Sequence, residues 1–181
     1  MLRLRRNWKG TGLKIQFAFY KASKGTLWSK AIAWFTKGEY SHVEIAFRDL
    51  PQALWEFYRC EMKVVPHDPG GTLCFSSASN DGGTRFKILD LGDGKWDLVD
   101  VPLGVEQALK WCIAHQGLKY DWRGLWGFVF PWETPDPKDL FCSETAVECS
   151  QDQGMLGWLT AGKVSPSALK KILFDLSNVL W

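Results

Sequence analysis

At Pro102 the hydrophobic rhythm of this chain changes, and that change limits the fold more than any other feature. Ahead of it apolar residues alternate with polar ones, as in Leu13, Ile15, Phe17 and Phe19 set against Lys14 and Gln16. A period of two lays one side of a strand on a core and leaves the other side for other uses. Behind Pro102, Val105, Ala108, Leu109 and Cys112 fall at i, i+3, i+4 and i+7, one stripe of a helix running to about Gln116. Leu169, Ile172, Leu173 and Leu176 repeat that spacing in a last helix, capped by Ser165 and opened by Pro166. A β-rich front and a helical rear make an α+β fold, an antiparallel β-sheet packed against helices.

Strands are predicted at 13–20, 41–47, 73–77, 84–91 and 96–101, with turns at Asn80-Asp81-Gly82-Gly83 and Gly92-Asp93-Gly94. The middle of the chain then reads as a β-meander. Residues 53–58 and 61–65 look like two more short strands, a hairpin in outline. One helix, 26–35, interrupts the strands and stops at Gly38. Pro131, Pro135 and Pro137 make 130–138 an irregular loop, after which Asp139 can cap a helix holding Cys142 in its first turn. Residues 1–12 form a basic arm carrying Arg3, Arg5, Arg6 and Lys9, and 13–181 form a single domain of ample size for one core.

Composition excludes several classes. A formal net charge of +2 gives no field of the kind that binds nucleic acid, so no specific nucleic-acid partner is expected. No apolar run approaches the roughly 20 residues of a transmembrane helix, although the basic arm leaves room for peripheral contact with lipid headgroups. No apolar stretch follows Met1-Leu2-Arg3, so synthesis in a cytoplasm without a signal peptide is expected. The five cysteines are odd in number and lack Cys-x-x-Cys spacing, and the three histidines are scattered. That pattern argues against a disulfide framework and a metal site, and no cofactor is expected. The eleven tryptophans point to a large aromatic core, with some left to line a groove for sugars or acyl chains.

Two segments carry candidate chemistry. In Tyr40-Ser41-His42-Val43-Glu44-Ile45-Ala46-Phe47 an imidazole and a carboxylate share one face of a strand, about 7 Å apart along the backbone. Glu44 can fix the tautomer of His42 and stabilise its cation. In Leu140-Phe141-Cys142-Ser143-Glu144 a thiol stands in the first turn of a helix. Unpaired N–H groups there favour negative charge on the sulfur and can hold an oxyanion. Each has a plainer reading, a solvated strand face for the first and a small buried residue at a helix start for the second. The segment 117–124, Gly-Leu-Lys-Tyr-Asp-Trp-Arg-Gly, lies between two helices and reads most simply as their connection.

That segment, Gly-x-x-Tyr-Asp-x-x-Gly, followed by Phe141-Cys142-Ser143-Glu144, resembles the nucleophile half of the NlpC-type papain-like cysteine hydrolases. Tyr40-Ser41-His42-Val43-x-Ile45 resembles their histidine strand. His42 precedes Cys142, which is the order of the circularly permuted branch with its YiiX-like proteins and lecithin retinol acyltransferase relatives. Residues 34–44 and 74–83, Trp96-Asp97, and Ser165-Pro166 with Leu169 are further similar to a phage- or prophage-encoded subgroup.

The resemblance implies a permuted papain-like domain in which Cys142 is the nucleophile, His42 the base, and Tyr120 and Ser143 shape the oxyanion pocket. The family's third polar residue falls on Ser77 if 73–79 is the strand after the histidine strand, and on Glu56 if 53–58 is. Glu44 is the local alternative, favoured because spacing alone sets its face. The resemblance also implies a peptide amide of the bacterial cell wall, or a lipid-type acyl group, as substrate. It implies a chemistry without metal or cofactor, synthesis in a bacterial host cytoplasm, and phage structural proteins as partners in a virion. A non-catalytic virion or host-interaction module on the same fold is the rival expectation.

Overall fold

The computed structural model describes residues 14–35, 38–48, 50–63, 70–128, 130, 132, 136 and 138–180. The basic arm, the end of the expected strand at 61–65 and most of the loop 130–138 lie outside these residues. Five strands, β1 (Lys14–Lys21), β2 (Tyr40–Arg48), β3 (Thr72–Ala78), β4 (Gly83–Leu89) and β5 (Trp96–Val101), form one antiparallel sheet in the order β4-β3-β2-β1-β5. The helices are α1 (Leu27–Phe35), α2 (Gln52–Tyr58), α3 (Val105–Ala114), α4 (Trp122–Trp126), α5 (Cys142–Asp152) and α6 (Pro166–Leu180). The fold is α+β, as the two hydrophobic periods require.

One face of the sheet carries Phe17, Phe19, Val43, Ile45 and Phe75, all buried with Leu109 and Cys112 of α3, Ala146 and Val147 of α5, and Leu169 and Leu173 of α6. Each of these large side chains stabilises the fold by about 1.5–3 kcal/mol relative to exposure. The buried apolar residues of the opposite face are small, Ala18, Ala46 and Cys74, with Leu89, Leu91 and Trp96 packed beside them. At one end of that face, beside Trp96 and Leu89, lies the candidate site.

Three expectations are corrected. Residues 53–58 are helical, not extended: Trp55 and Tyr58 stand one turn apart in α2 and are buried. A short apolar run fits either period, and contact with the core selected the helix. The middle of the chain is also not a simple meander. After β4 the turn at Gly92-Asp93-Gly94 sends β5 to the far edge, where it pairs with β1 from Ile15–Val101 to Tyr20–Trp96. Finally, α5 begins at Cys142 with Phe141 as N-cap, so Asp139 does not cap it. The carboxylate at the start of α5 is Glu144, which accepts from Phe141 N at 3.3 Å, while Asp121 caps α4 by accepting from Gly124 N at 2.8 Å and also accepts from Asp136 N at 3.1 Å.

Two irregularities in β2 position the site. The β1–β2 register slips between Tyr20 and Lys21, which pair with His42 and Tyr40, so Ser41 is an extra residue. Such a bulge re-aims the side chains on either side of it. Tyr40 turns into the core against Phe19, while His42 joins Tyr20 on the opposite face. The β2–β3 ladder, in turn, runs only from Phe47–Leu73 to Ile45–Phe75. Beyond Ile45 the strands part, and the Ser76 hydroxyl closes the gap by donating to Val43 O at 2.6 Å.

The segment leading to α4 is fastened to β4 at Gly83, which bridges to Lys119. Thr84 N donates to Leu118 O at 2.9 Å, and Gly117 N to Thr84 O at 3.0 Å. Gly83 has φ 144°, and a Cβ there would lie 1.9 Å from Leu118 O. Its neighbour Gly82 has φ 81° with nothing near its Cβ position. In urea unfolding, Gly82→Ala is therefore expected to cost about 1–2 kcal/mol, the left-handed penalty alone. Gly83→Ala should cost about 3 kcal/mol or more, because backbone on both sides must move.

Candidate active site

His42 Nε2 lies 2.8 Å from Glu44 Oε1. An ionised carboxylate only accepts, so Nε2 carries a proton and Nδ1 is the nitrogen left for another partner. The Cys142 side chain, whose charge and hydrogen-bonding capacity act on the imidazole, is the group in position to be that partner. The imidazole from a front-half strand and the sulfur from a rear-half helix thus meet, at the end of the sheet where β2 and β3 part. Cys142 is nearly buried, and His42 is about one-fifth exposed, with 21 % of its side chain open to solvent.

Glu44 is 1 % exposed, and both its oxygens are occupied. Arg85 Nη2 donates to Oε1 at 2.7 Å and Nη1 to Oε2 at 2.9 Å, a bidentate fork. Arg85 is itself held by Asp81, through Nε at 2.6 Å, and by Ser76 O at 3.3 Å. Asp81 also receives Lys87 Nζ at 3.4 Å. A connected line of charge runs from the sulfur through His42, Glu44, Arg85 and Asp81 to Lys87.

The titration of this line follows from its contacts. Burial works against a charged Glu44, but the Arg85 charge and the His42 hydrogen bond outweigh it and hold the carboxyl at about 2. Burial likewise works against the imidazolium. The charge and hydrogen bond of Cys142, with Glu44 behind them, overcome it and push His42 up to about 9. Glu144, in the first turn of α5, is pushed up to about 8 by burial, only partly offset by the Phe141 N–H it accepts. At neutral pH it is largely protonated, so it places no full negative charge beside the sulfur.

Tyr120 is buried next to the pair, drawn there by its bridge to Leu140 and packed at 5.0 Å against Trp122. Burial, then the charges of Cys142 and Asp121, raise its phenol well above the usual tyrosine range, so it stays a proton donor. Ser143 departs from its expected part. Its hydroxyl donates to Val164 O at 2.7 Å and ties α5 to the segment before α6. Only its backbone N–H, in the first turn of the helix, remains to face an oxyanion.

The alternative third residues do not join the network. Glu56 stands on α2, with Gln52 at 2.7 Å and Arg59 at 3.4 Å. Ser77 shares the inward parity of Phe75, and its buried hydroxyl has no hydrogen-bond partner among the described residues. Ser41, also buried, has none either. Arg85 and Asp81 were not identified from sequence. Their only signal there is a spacing of four across a turn, which ordinary surface pairs share.

His42 opens onto a cleft of about 500 Å³ whose lining also includes Glu44, Tyr120, Tyr20, Trp96 and Asn80, with the buried Cys142 behind the imidazole and not part of that lining. The Trp96 ring lies 6.5 Å from His42 and 4.9 Å from Tyr20, an aromatic wall beside the imidazole. A larger cavity of about 1120 Å³, lined by Lys21, Ala33, Trp34, Tyr40 and Phe128 among others, holds neither nucleophile nor base. Among the described residues there is no cluster of three His, Cys, Asp or Glu able to hold a metal ion, and no helix is long and apolar enough to cross a membrane. No family model, curated protein or solved structure matches the chain.

Two titrations check these electrostatics. His42 should titrate near 9 by NMR and move back toward its ordinary 6.5 in Cys142→Ala, which removes the sulfur's contribution. Glu44 is depressed when folded, so its stabilisation is present above its ordinary 4.5 and is lost as pH falls toward 2. The stability gap between wild type and Glu44→Gln, read from urea midpoints, should narrow across that window.

Proposed function

We propose that this protein is a thiol hydrolase or acyltransferase of the permuted papain-like kind, acting on an amide or ester through Cys142 and His42. The observation that carries the reading is the juxtaposition at the start of α5 of Cys142 with His42, on which it acts electrostatically, and Glu44, which lies 2.8 Å from His42 Nε2. A sulfur at a helix N-terminus, a base hydrogen-bonded to it, and a third group that fixes the base are the parts nucleophilic catalysis requires.

The sulfur of Cys142 attacks the carbonyl carbon, forming a C–S bond while the carbonyl electrons move onto oxygen. That oxyanion is held by N–H groups of the first turn of α5 and by the Tyr120 hydroxyl. His42 Nδ1–H gives its proton to the departing nitrogen or oxygen, and the C–N or C–O bond breaks to leave a thioester. Water or another acceptor then attacks the thioester, His42 takes its proton, and the sulfur is released. Glu44 holds the ring in the tautomer that serves both steps.

The sequence resemblance favours cell-wall peptides over lipid-type acyl groups as substrates, and association with a phage particle as the setting. The Trp96–Tyr20 wall suits the flat face of an acyl or peptide group entering beside His42.

Turnover of muropeptides and of model acyl esters tests the proposal. Cys142→Ala should abolish it with a melting curve close to wild type. His42→Ala should lower kcat/KM by about 10²–10⁴. Tyr120→Phe should lower kcat by about 10²-fold with KM little changed, the signature of a lost oxyanion donor. A well-folded Cys142→Ala that retains turnover would overturn Cys142 as the nucleophile, and full phage-associated function in the complete absence of turnover would mean that the cleft only binds.

A further inference from the structure

The charge of Glu44 conflicts with the part it plays. A bare carboxylate 2.8 Å from Nε2 would keep the imidazolium for itself. With those two charges cancelled, the sulfur on the other side of the ring would feel little net positive field.

Glu44 is not bare. Arg85 meets both of its oxygens, and Asp81 and Ser76 O anchor the guanidinium so that it cannot swing away. The remaining groups around the pair leave this balance intact. Tyr120, before α4, and Cys74, on β3, both have raised pKa values through burial and are neutral at pH 7. Lys87 on β4 reaches Asp81, so those two offset each other. Asp121, before α4, acts on Tyr120 and has its carboxylate engaged by Gly124 N and Asp136 N, which leaves His42 as the positive charge beside the sulfur.

We infer that Arg85 is a positioning residue that neutralises Glu44, so that the buried pair acts on His42 as an uncharged acceptor and leaves the charge of the imidazolium to Cys142. The inference rests on Cys142 and His42 being a working pair. In effect, two opposite charges do what a single neutral amide side chain would do at the same place, and that equivalence can be tested.

The experiment follows alkylation of Cys142 by iodoacetamide from about pH 5 to about pH 9, with peptide mass separating it from Cys60, Cys74, Cys112 and Cys149. Arg85→Met should lose about tenfold or more of the rate near pH 6, because Glu44 then claims the charge of His42. The double variant Glu44→Gln with Arg85→Met should return to within about threefold of wild type, since the glutamine oxygen still accepts from Nε2 and no charge needs neutralising. It also leaves no lone buried charge, so it guards against a single variant that merely unfolds. An Arg85→Met rate equal to wild type, or a folded double variant no better than the single, overturns the inference. His42→Ala is the control. If it leaves the Cys142 rate untouched, the pair itself fails, and that is distinct from a His42-dependent rate indifferent to Arg85.

Discussion

A carboxylate with 1 % of its side chain in contact with solvent must be paired, and the pairing of Glu44 organises everything around it. Stripping an ionised group of water costs several kcal/mol, and only close opposite charge with filled hydrogen-bond positions offsets that cost. Glu44 gets both from Arg85 on β4 and His42 on its own strand. Arg85 cannot supply its fork unless β3 and β4 stand in register. The small Ser76 stands beside Arg85 in that register, on the side toward Glu44, and the fork closes past it. The electrostatic requirement and the shape of the sheet therefore specify one another.

That shape also resolves a problem of sides. The helices pack on the face of Val43 and Ile45, whereas His42 and Glu44 belong to the opposite face. A continuous ladder would keep the imidazole and the sulfur of α5 apart. The bulge at Ser41 and the parted strands lie at the end of β2 where His42 and Cys142 come under each other's influence, and Tyr120 reaches the same place from its bridge to Leu140. Two departures from ideal pairing at one end of β2 are the local cost of a site assembled from both halves of the chain.

How legible this was in the residues varied with the type of signal. The alternation in β1 and the i, i+3, i+4, i+7 stripes of α3 and α6 were plain, because burial on one side leaves a period in the composition. The shared face of His42 and Glu44 followed from the same rule. Residues 53–58 misled because six residues hold too few repeats to tell two periods apart. The edge taken by β5 was hidden because a strand's pattern records that it is buried, not which neighbour it pairs with. Glu56 and Ser77 stayed open as third residues only while their elements were unknown, and helix α2 and the inward parity of β3 removed both.

By itself the sequence determined the α+β class, the faces of the long elements, and the residue types at each end of the proposed chemistry. Those properties depend on neighbours within a few positions, which a linear string displays. Tertiary structure alone decided that the sulfur and the imidazole come together, that Arg85 stands behind Glu44 and completes the line, and that the Ser143 hydroxyl faces Val164. Each of these is a contact between residues far apart in the chain. Such contacts exist only once the sheet has chosen its strand order and opened at the end of β2.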